Sequence, residues 1–434
     1  MEANRKNVLE IVETGQCVGC GLCTAVCPRN CIELKKRKGM YQPDIDEEKC
    51  IKCGLCNRVC PGKQFDYNRE YKSSSEPKNF WIGNYIHILS MQTQNREILR
   101  SATSGGVVTQ IVKNLLEKGE YDCAFLVNTH NVKHLVSTEI FEKTDDILTS
   151  TKSRYIPVAQ NKAVAYALKH KEKRIIFVGT SCAVHGILNV IRELALNRDN
   201  YLILGLFCDR TMHYGIYDYF NQHPKCDGKL SELVFRTKES GGWPGKMRFI
   251  LSNGESVDLK ASERMLVKDY FQMERCLYCL DKLNQFADIS IGDDYAVDKN
   301  DKYGRSAVII RSHKAERIIE SMKGCFHSFA ISEEALVKAQ KLYMRQKNLC
   351  FIFCKKLKVY VPKKVIKVME EQNKHFEVEY QDRISKIKIG EQCSYKTIRS
   401  KIPTKKKIQY WIMDTMRFIP VVWRIKYFIR RIKK

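Results

Sequence analysis

The chain has 434 residues, with 75 Lys/Arg against 49 Asp/Glu for a formal charge of +26, and is 44% hydrophobic and 10% aromatic. That balance excludes a disordered polar chain, and the length suits two or three packed domains. No stretch of about 18 uncharged apolar residues occurs, so no membrane-spanning helix is expected, and MEANRKNVLE lacks an apolar run behind its charges, which predicts a cytoplasmic chain.

In a reducing compartment the 19 cysteines are expected to serve metal and not disulfides, and their crowding supports this. CVGCGLCTAVCP places Cys17, Cys20, Cys23 and Cys27 before Pro28, and CIKCGLCNRVCP repeats the spacing with Cys50, Cys53, Cys56 and Cys60 before Pro61. Two-residue gaps let three successive thiolates reach three corners of one 4Fe-4S cube, while Gly19, Gly21 and Gly54 let the backbone wrap closely. In two-cluster ferredoxins the fourth cysteine of each run serves the other cluster. The expected sets are therefore Cys17, Cys20, Cys23 and Cys60 for one cluster, and Cys50, Cys53, Cys56 and Cys27 for the other. Zinc is disfavoured, since its sites use ligand pairs well separated in sequence. Cys31 lies outside the repeat and reads as a packed thiol.

Residues 1–68 are thus expected as an α+β ferredoxin-like module. Residues 69–79 follow as a linker, in a stretch carrying Ser73, Ser74, Ser75 and Pro77. Over 80–350 apolar runs alternate with amphipathic stretches: helices over Gly106–Glu117, Lys162–His170 and Ala183–Leu194, strands over Cys123–Val127, Ile175–Val178 and Tyr201–Leu206. That predicts a larger α/β domain with a mainly parallel core sheet. No Gly-x-Gly-x-x-Gly or Gly-Lys-Ser/Thr element occurs, which excludes the usual nicotinamide and P-loop sites. The nearest glycine-rich element is SATSGG, where Thr103 or Ser104 can cap the following helix and Gly105 and Gly106 allow an anionic cofactor to approach its amides. Cys276 and Cys279 are spaced as a chelating pair, whereas Cys182 and Cys208 read more readily as buried thiols than as ligands.

Together these residues resemble the beta subunits of coenzyme F-420 hydrogenases and dehydrogenases. The resemblance runs in order through the double cysteine motif, ILRSATSGGVVTQIV, TKSRY, FVGTSCAVHGI, GLFCDR, FRTKESGGW and CLYCLDKLNQFADISIGDDYA, covering about residues 10 to 315. It implies a flavin-binding α/β domain with FAD and a third 4Fe-4S cluster on Cys182, Cys208, Cys276 and Cys279. The flavin is expected near Thr103, Ser104, Gly105 and Gly106, near Lys152, Ser153, Arg154 and Tyr155, and near Gly179, Thr180 and Ser181. Lys152 and Arg154 suit a pyrophosphate or the N1 anion of reduced flavin. The chain departs from the family pattern with Gly-Thr-Ser-Cys in place of Gly-Thr-Pro-Cys, and Asp-Asp-Tyr in place of Asp-Phe-Trp, so its substrate need not be F-420.

Residues 351–434 read as a basic, helical C-terminal tail, with 23 Lys/Arg against 7 Asp/Glu from Lys355 onward. Phe418, Val422, Ile425, Ile429 and Ile432 recur at helical spacing behind Pro420, near Trp411, Trp423 and Phe428, a pattern suited to an anionic membrane surface at the cytoplasmic face. No nucleic-acid module accompanies the charge. The expected function is an iron-sulfur flavoprotein oxidoreductase exchanging electrons with a redox partner protein or ferredoxin and with a deazaflavin (F-420) or another two-electron small molecule. His185 is the one candidate acid or base. Two alternatives stand beside it: a non-catalytic electron-transfer subunit, and a redox accessory protein of polysaccharide assembly at the membrane.

Overall fold

Along the central strands neighbouring residues enter opposite cores, and this alternation builds the largest layer of the molecule. The structure is a computed structural model that describes residues 7–63, 65–72, 77–128, 135–296, 301–342 and 376–415. Strands β1 (Ile32–Arg37) and β2 (Met40–Ile45) form an antiparallel hairpin. The large sheet draws on β3 (His87–Thr93), β4 (Cys123–Val127), β5 (Thr138–Phe141), β6 (Ile175–Thr180) and β7 (Tyr201–Leu206). After these, β8 (Leu230–Thr237), β9 (Lys246–Leu251) and β10 (Ser256–Leu259) form a separate antiparallel sheet. The chain then returns to the large sheet with β11 (Ile289–Asp293), β12 (Ser306–Ile310) and β13 (Phe326–Ala330), giving the order β13-β3-β12-β11-β7-β6-β4-β5.

The parallel core is confined to β4, β6, β7 and β11. The other pairs of this sheet are antiparallel, so the layer is mixed. Phe125, Phe177, Ile203 and Ile309 point to one core, and Ala124, Ile176, Leu202 and Val308 to the other. Both faces are therefore buried, which is why these strands read as continuous apolar runs. The helices expected between them are Val107–Glu117, Asn161–Lys169 and Ser181–Glu193.

In the N-terminal region the duplicated sequence gives a duplicated backbone. Gly21 (φ 67°) and Gly54 (φ 72°) take the left-handed conformation just before helices Leu22–Ala25 and Leu55–Arg58. The region keeps a small core of its own around Val8, Cys23, Ile32 and Cys56, and it also docks on the larger domain, where Leu22, Val26 and Val59 join the core of Phe177 and Val184. Gly186 permits this approach, as a Cβ there would lie 2.3 Å from Leu22 Cδ1. The expected linker begins as helix Tyr67–Lys72, with Tyr67 buried in the same core.

The C-terminal region is described over helices Phe376–Gly390, Tyr395–Lys401 and Thr404–Thr415. The apolar stripe expected from Phe418 to Ile432, with Pro420 and Trp423, lies outside the described residues. Helices Phe376–Gly390 and Thr404–Thr415 pack on helix Ala261–Phe271, and Ile398 and Ile402 enter the core of the smaller sheet. Asp269 is the hub of this contact, with Arg210 and Arg383 nitrogens at 2.6 Å and Lys406 Nζ at 3.5 Å. Among the described residues no helix is long and apolar enough to cross a membrane.

Burial pushes the Asp269 carboxyl up, but Arg210, Arg383 and Lys406 outweigh it and hold it well below the usual carboxylate range. Its contribution to stability is thus complete at neutral pH and is lost only as pH falls through that depressed value, below about 3.9. Asp269→Asn is expected to cost about 3 kcal/mol at pH 7, because three cations lose their counter-charge. The urea midpoint checks this, and the difference from the parent should shrink in acid.

Candidate functional site

Parallel strands running side by side end on one edge, and ligands gather where they end. Here Val127 closes β4, Gly179 and Thr180 close β6, Leu206 closes β7, and Gly292 and Asp293 close β11, and all of them line a single cavity of about 1770 Å³. Typical small-molecule pockets hold about 300 to 1,000 Å³, so this one has room for more than one bound group. Ten Lys/Arg against four Asp/Glu line it, which makes it electropositive. Its far wall comes from the N-terminal region, through Gln16, Val18, Cys20 and Phe65.

The cysteines fall into three neighbourhoods. The Cys60 thiol acts electrostatically on Cys17, Cys20 and Cys23. Cys53 and Cys27 act on Cys56, and Cys50 acts on Cys31. The last cysteine of each run therefore stands among the thiols of the other run. Cys31 lies with the second group, its Sγ 3.4 Å from that of Cys27. The third neighbourhood is inside the cavity, where Cys182, Cys208, Cys276 and Cys279 all line the wall. Cys279 acts on both Cys182 and Cys276, and Cys182 also acts on Cys20 of the first run. Val18, Met40 and Met273 fill the space beside Cys20, Cys182 and Cys276.

Their chemistry fits iron. Burial pushes the Cys17 and Cys276 thiols up to about 12, so thiolates persist there only beside compensating positive charge. Part of it is in place: the Arg275 guanidinium acts on Cys60, Cys182 and Cys276. Backbone groups supply more, for Thr211 N donates to Cys276 Sγ at 3.3 Å and Gly19 N to Cys17 Sγ at 3.4 Å. Cys182 occupies the first turn of helix Ser181–Glu193, where free amides favour an anion. Among the described residues no three His, Cys, Asp or Glu side chains close around one metal ion. A cubane takes its four thiolates at four separate irons.

Ten of the eleven residues expected near a flavin line the same cavity: Thr103, Ser104, Gly106, Lys152, Ser153, Arg154, Tyr155, Gly179, Thr180 and Ser181. Gly105 does not, and its role is packing. A Cβ there would stand 2.4 Å from Met91 O and 2.8 Å from Ser306 N, against strands β3 and β12. Nor do Thr103 and Ser104 cap the helix. Gly106 is the N-cap and no side chain bonds the first turn, because Thr103 Oγ1 accepts from Ser153 and Ser104 Oγ pairs with Ser306. That leaves the amides of Val107 and Val108 at the cavity wall without a side-chain cap, as an anionic group requires. Ser181 Oγ and Arg154 Nε are buried there without a hydrogen-bond partner. Arg154 is otherwise committed to Glu232 at 3.4 Å, and Lys152 stands 3.5 Å from Glu239.

His185 is buried and packed. Its ring stacks on Phe65 with centroids 3.9 Å apart, and Nε2 lies 3.0 Å from Asp281 Oδ2. These contacts give it a positioning role between the N-terminal region and the CLYCLDK loop.

Three family models match the chain in the order the sequence predicts. Residues 16–63 match the 4Fe-4S dicluster domain. Residues 88–165 match the N-terminal part of the coenzyme F420 hydrogenase/dehydrogenase beta subunit, and 172–333 match its C-terminal part. The chain belongs to the family of coenzyme F420 hydrogenase/dehydrogenase beta subunits. An uncharacterized protein of Methanocaldococcus jannaschii is 26% identical over 71% of this chain and 86% of its own. The coenzyme F420-dependent sulfite reductase of the same organism is 27% identical over 71% of this chain and 46% of its own length. A subunit of the F(420)H(2) dehydrogenase of Methanosarcina mazei is 24% identical over 73% of this chain and 85% of its own. A chain of the F420-reducing [NiFe] hydrogenase complex from Methanosarcina barkeri has a TM-score of 0.47 at 20% identity, covering 63% of this chain and 96% of that one.

In this member of the beta-subunit group, several residues that fix or line the wall carry no signal in spacing or composition. FRTKESGGW belongs to the resemblance, but its chemistry becomes visible only in the fold. Arg236 grips Asp293 with nitrogens at 2.6 and 2.9 Å, and Trp243 Nε1 donates to the same carboxylate at 2.8 Å. Lys238 Nζ donates to Leu99 O, Ser104 O and Tyr303 O at 2.6, 3.0 and 2.9 Å, bolting the glycine-rich loop in place. Arg264 lies 4.3 Å over the Tyr155 ring. Burial pushes the Tyr155 hydroxyl up, yet Arg236 and Arg264 outweigh it and make it more acidic than an ordinary tyrosine. Arg236→Met is expected to cost about 3 kcal/mol by stranding a buried carboxylate. Adding Asp293→Asn should recover part of that loss, and urea unfolding of the parent, each single variant and the double variant measures it.

Proposed function

We propose that the chain is an iron-sulfur flavoprotein oxidoreductase. In this reading the two cysteine runs hold two 4Fe-4S clusters, Cys182, Cys208, Cys276 and Cys279 hold a third, and FAD occupies the remaining cavity. The carrying observation is that these four cysteines share one electropositive cavity with ten of the residues expected at a flavin, and that Cys20 of the first run stands on its wall. When bound, a flavin supplies the conversion between single electrons and an electron pair.

The chain's own residues then have separable tasks. The uncapped amides at Val107 and Val108 and the Ser181 hydroxyl receive anionic and polar groups, and Lys238 holds the loop that presents them. Val18, Met40 and Met273 keep water out of the gap between Cys20 and Cys182. Arg275 spans the same gap, acting on thiols on both sides of it. Tyr155, acidified by its two arginines, lines the cavity and can give up a proton from its hydroxyl.

Relatives named for F420 support a deazaflavin or a similar two-electron carrier as substrate, and relatives named as subunits support a redox partner protein. The departure at Asp294 and Tyr295 keeps the substrate class open to other carriers. Tyr295 lies at the cavity wall with its ring 5.3 Å from Trp243.

Protein purified without oxygen should contain about twelve irons, as much acid-labile sulfide and about one flavin per chain. About eight irons without flavin would contradict the reading and leave an electron-transfer subunit.

A further inference from the structure

The last described helix packs on the body along one side. In Thr404–Thr415 the positions spaced by four face the body: Lys406 Nζ reaches Asp269 at 3.5 Å, Tyr410 packs on the core of the smaller sheet, and Asp414 accepts from Ser262. The opposite side carries Ile408, Trp411 and Ile412, which are 52%, 61% and 40% exposed. Among the described residues seven large apolar side chains are exposed, and three of them lie within these five positions. Single exposed apolar residues are ordinary, but a contiguous stripe marks a contact surface.

Charge selects the occupant. Lys405 lies beside Ile408 on this side, Lys407 is one turn before Trp411, and Lys396 and Lys401 of the preceding helix are exposed. The sequence that follows, residues 416–434, contains seven Lys/Arg and no Asp/Glu among aromatic and branched apolar residues. Protein interfaces deplete lysine around their apolar centres, whereas an anionic bilayer surface attracts it and takes up tryptophan and isoleucine at headgroup depth.

We propose that the outward face of helix Thr404–Thr415 seats the protein on an anionic membrane surface, with Ile408, Trp411 and Ile412 entering the interface and Lys405 and Lys407 meeting the headgroups. The seat stands close to the redox cavity. The same helix packs on Ala261–Phe271, whose Arg264 and Lys268 line that cavity, so its wall lies about one helix diameter, some 10 Å, behind the seat. The inference goes beyond the redox reading and does not depend on it, since neither clusters nor flavin enter the argument.

Full-length protein sedimented with vesicles tests it. The parent should bind vesicles containing phosphatidylglycerol, ignore pure phosphatidylcholine, and be released as salt is raised. The combined variant Ile408→Ser, Trp411→Ser, Ile412→Ser should bind the anionic vesicles at least about tenfold more weakly. Lys405→Glu with Lys407→Glu should weaken binding too, and both variants should keep the parent's iron content and circular dichroism. Parent-like binding by the apolar variant would overturn the proposal, as would equal binding to neutral vesicles or a parent that pairs with a second copy through this face and ignores lipid.

Discussion

A thiolate buried in protein needs positive charge beside it, and that requirement organises this molecule. Twelve cysteines converge in three neighbourhoods; burial opposes ionisation at Cys17, Cys20, Cys23, Cys56, Cys60, Cys182 and Cys276, and what surrounds them suits a cluster: backbone amides, the first turn of helix Ser181–Glu193, and Arg275. Two of these neighbourhoods come from one short duplicated sequence. The third is assembled from residues just after β6 and β7 and from the CLYC turn, which tertiary contact brings to the same cavity.

The edge where the parallel strands end explains why the cavity is large and electropositive. A parallel core sends its strand ends to one side, and here the antiparallel flanks close around that side. FRTKESGGW then acts as a fastener. Arg236 ties β8 to the end of β11, and Lys238 ties it to the glycine-rich loop, so the wall that receives a ligand is fixed from behind by buried charges already compensated by a carboxylate or by backbone carbonyls. Gly105 serves this packing, while Gly106, Val107 and Val108 line the cavity.

How much of this was legible depended on whether the signal was local. The cysteine runs, the alternation from Gly106 to Leu206 and the strand ends at Gly179 and Cys208 are local patterns, and the structure places the corresponding elements within a residue or two. The parallel core was legible, but its antiparallel flanks were not: β3 pairs with β12 and β13 across more than 200 residues of sequence, and the short β5, though it pairs with nearby β4, carries no clear apolar run. Arg236, Lys238 and Arg264 were missed for the same reason: each acts through a partner that only tertiary contact supplies. SATSGG misled differently. Its hydroxyls could cap a helix in isolation, but Ser153 and Ser306 compete for them. The basic C-terminal composition suggested a single tail, whereas Asp269 and the core around Ile398 draw its described helices onto the body.

The central claim is that the cavity cysteines connect the N-terminal clusters to the bound flavin. The most direct test is the rate at which a reduced ferredoxin reduces that flavin, without oxygen, in the parent and in Cys276→Ala. The account predicts that the variant retains flavin and about eight irons, and that its flavin is reduced at least about a hundredfold more slowly while the N-terminal clusters accept electrons as before. Flavin reduction at the parent's rate in a variant lacking the third cluster would contradict it.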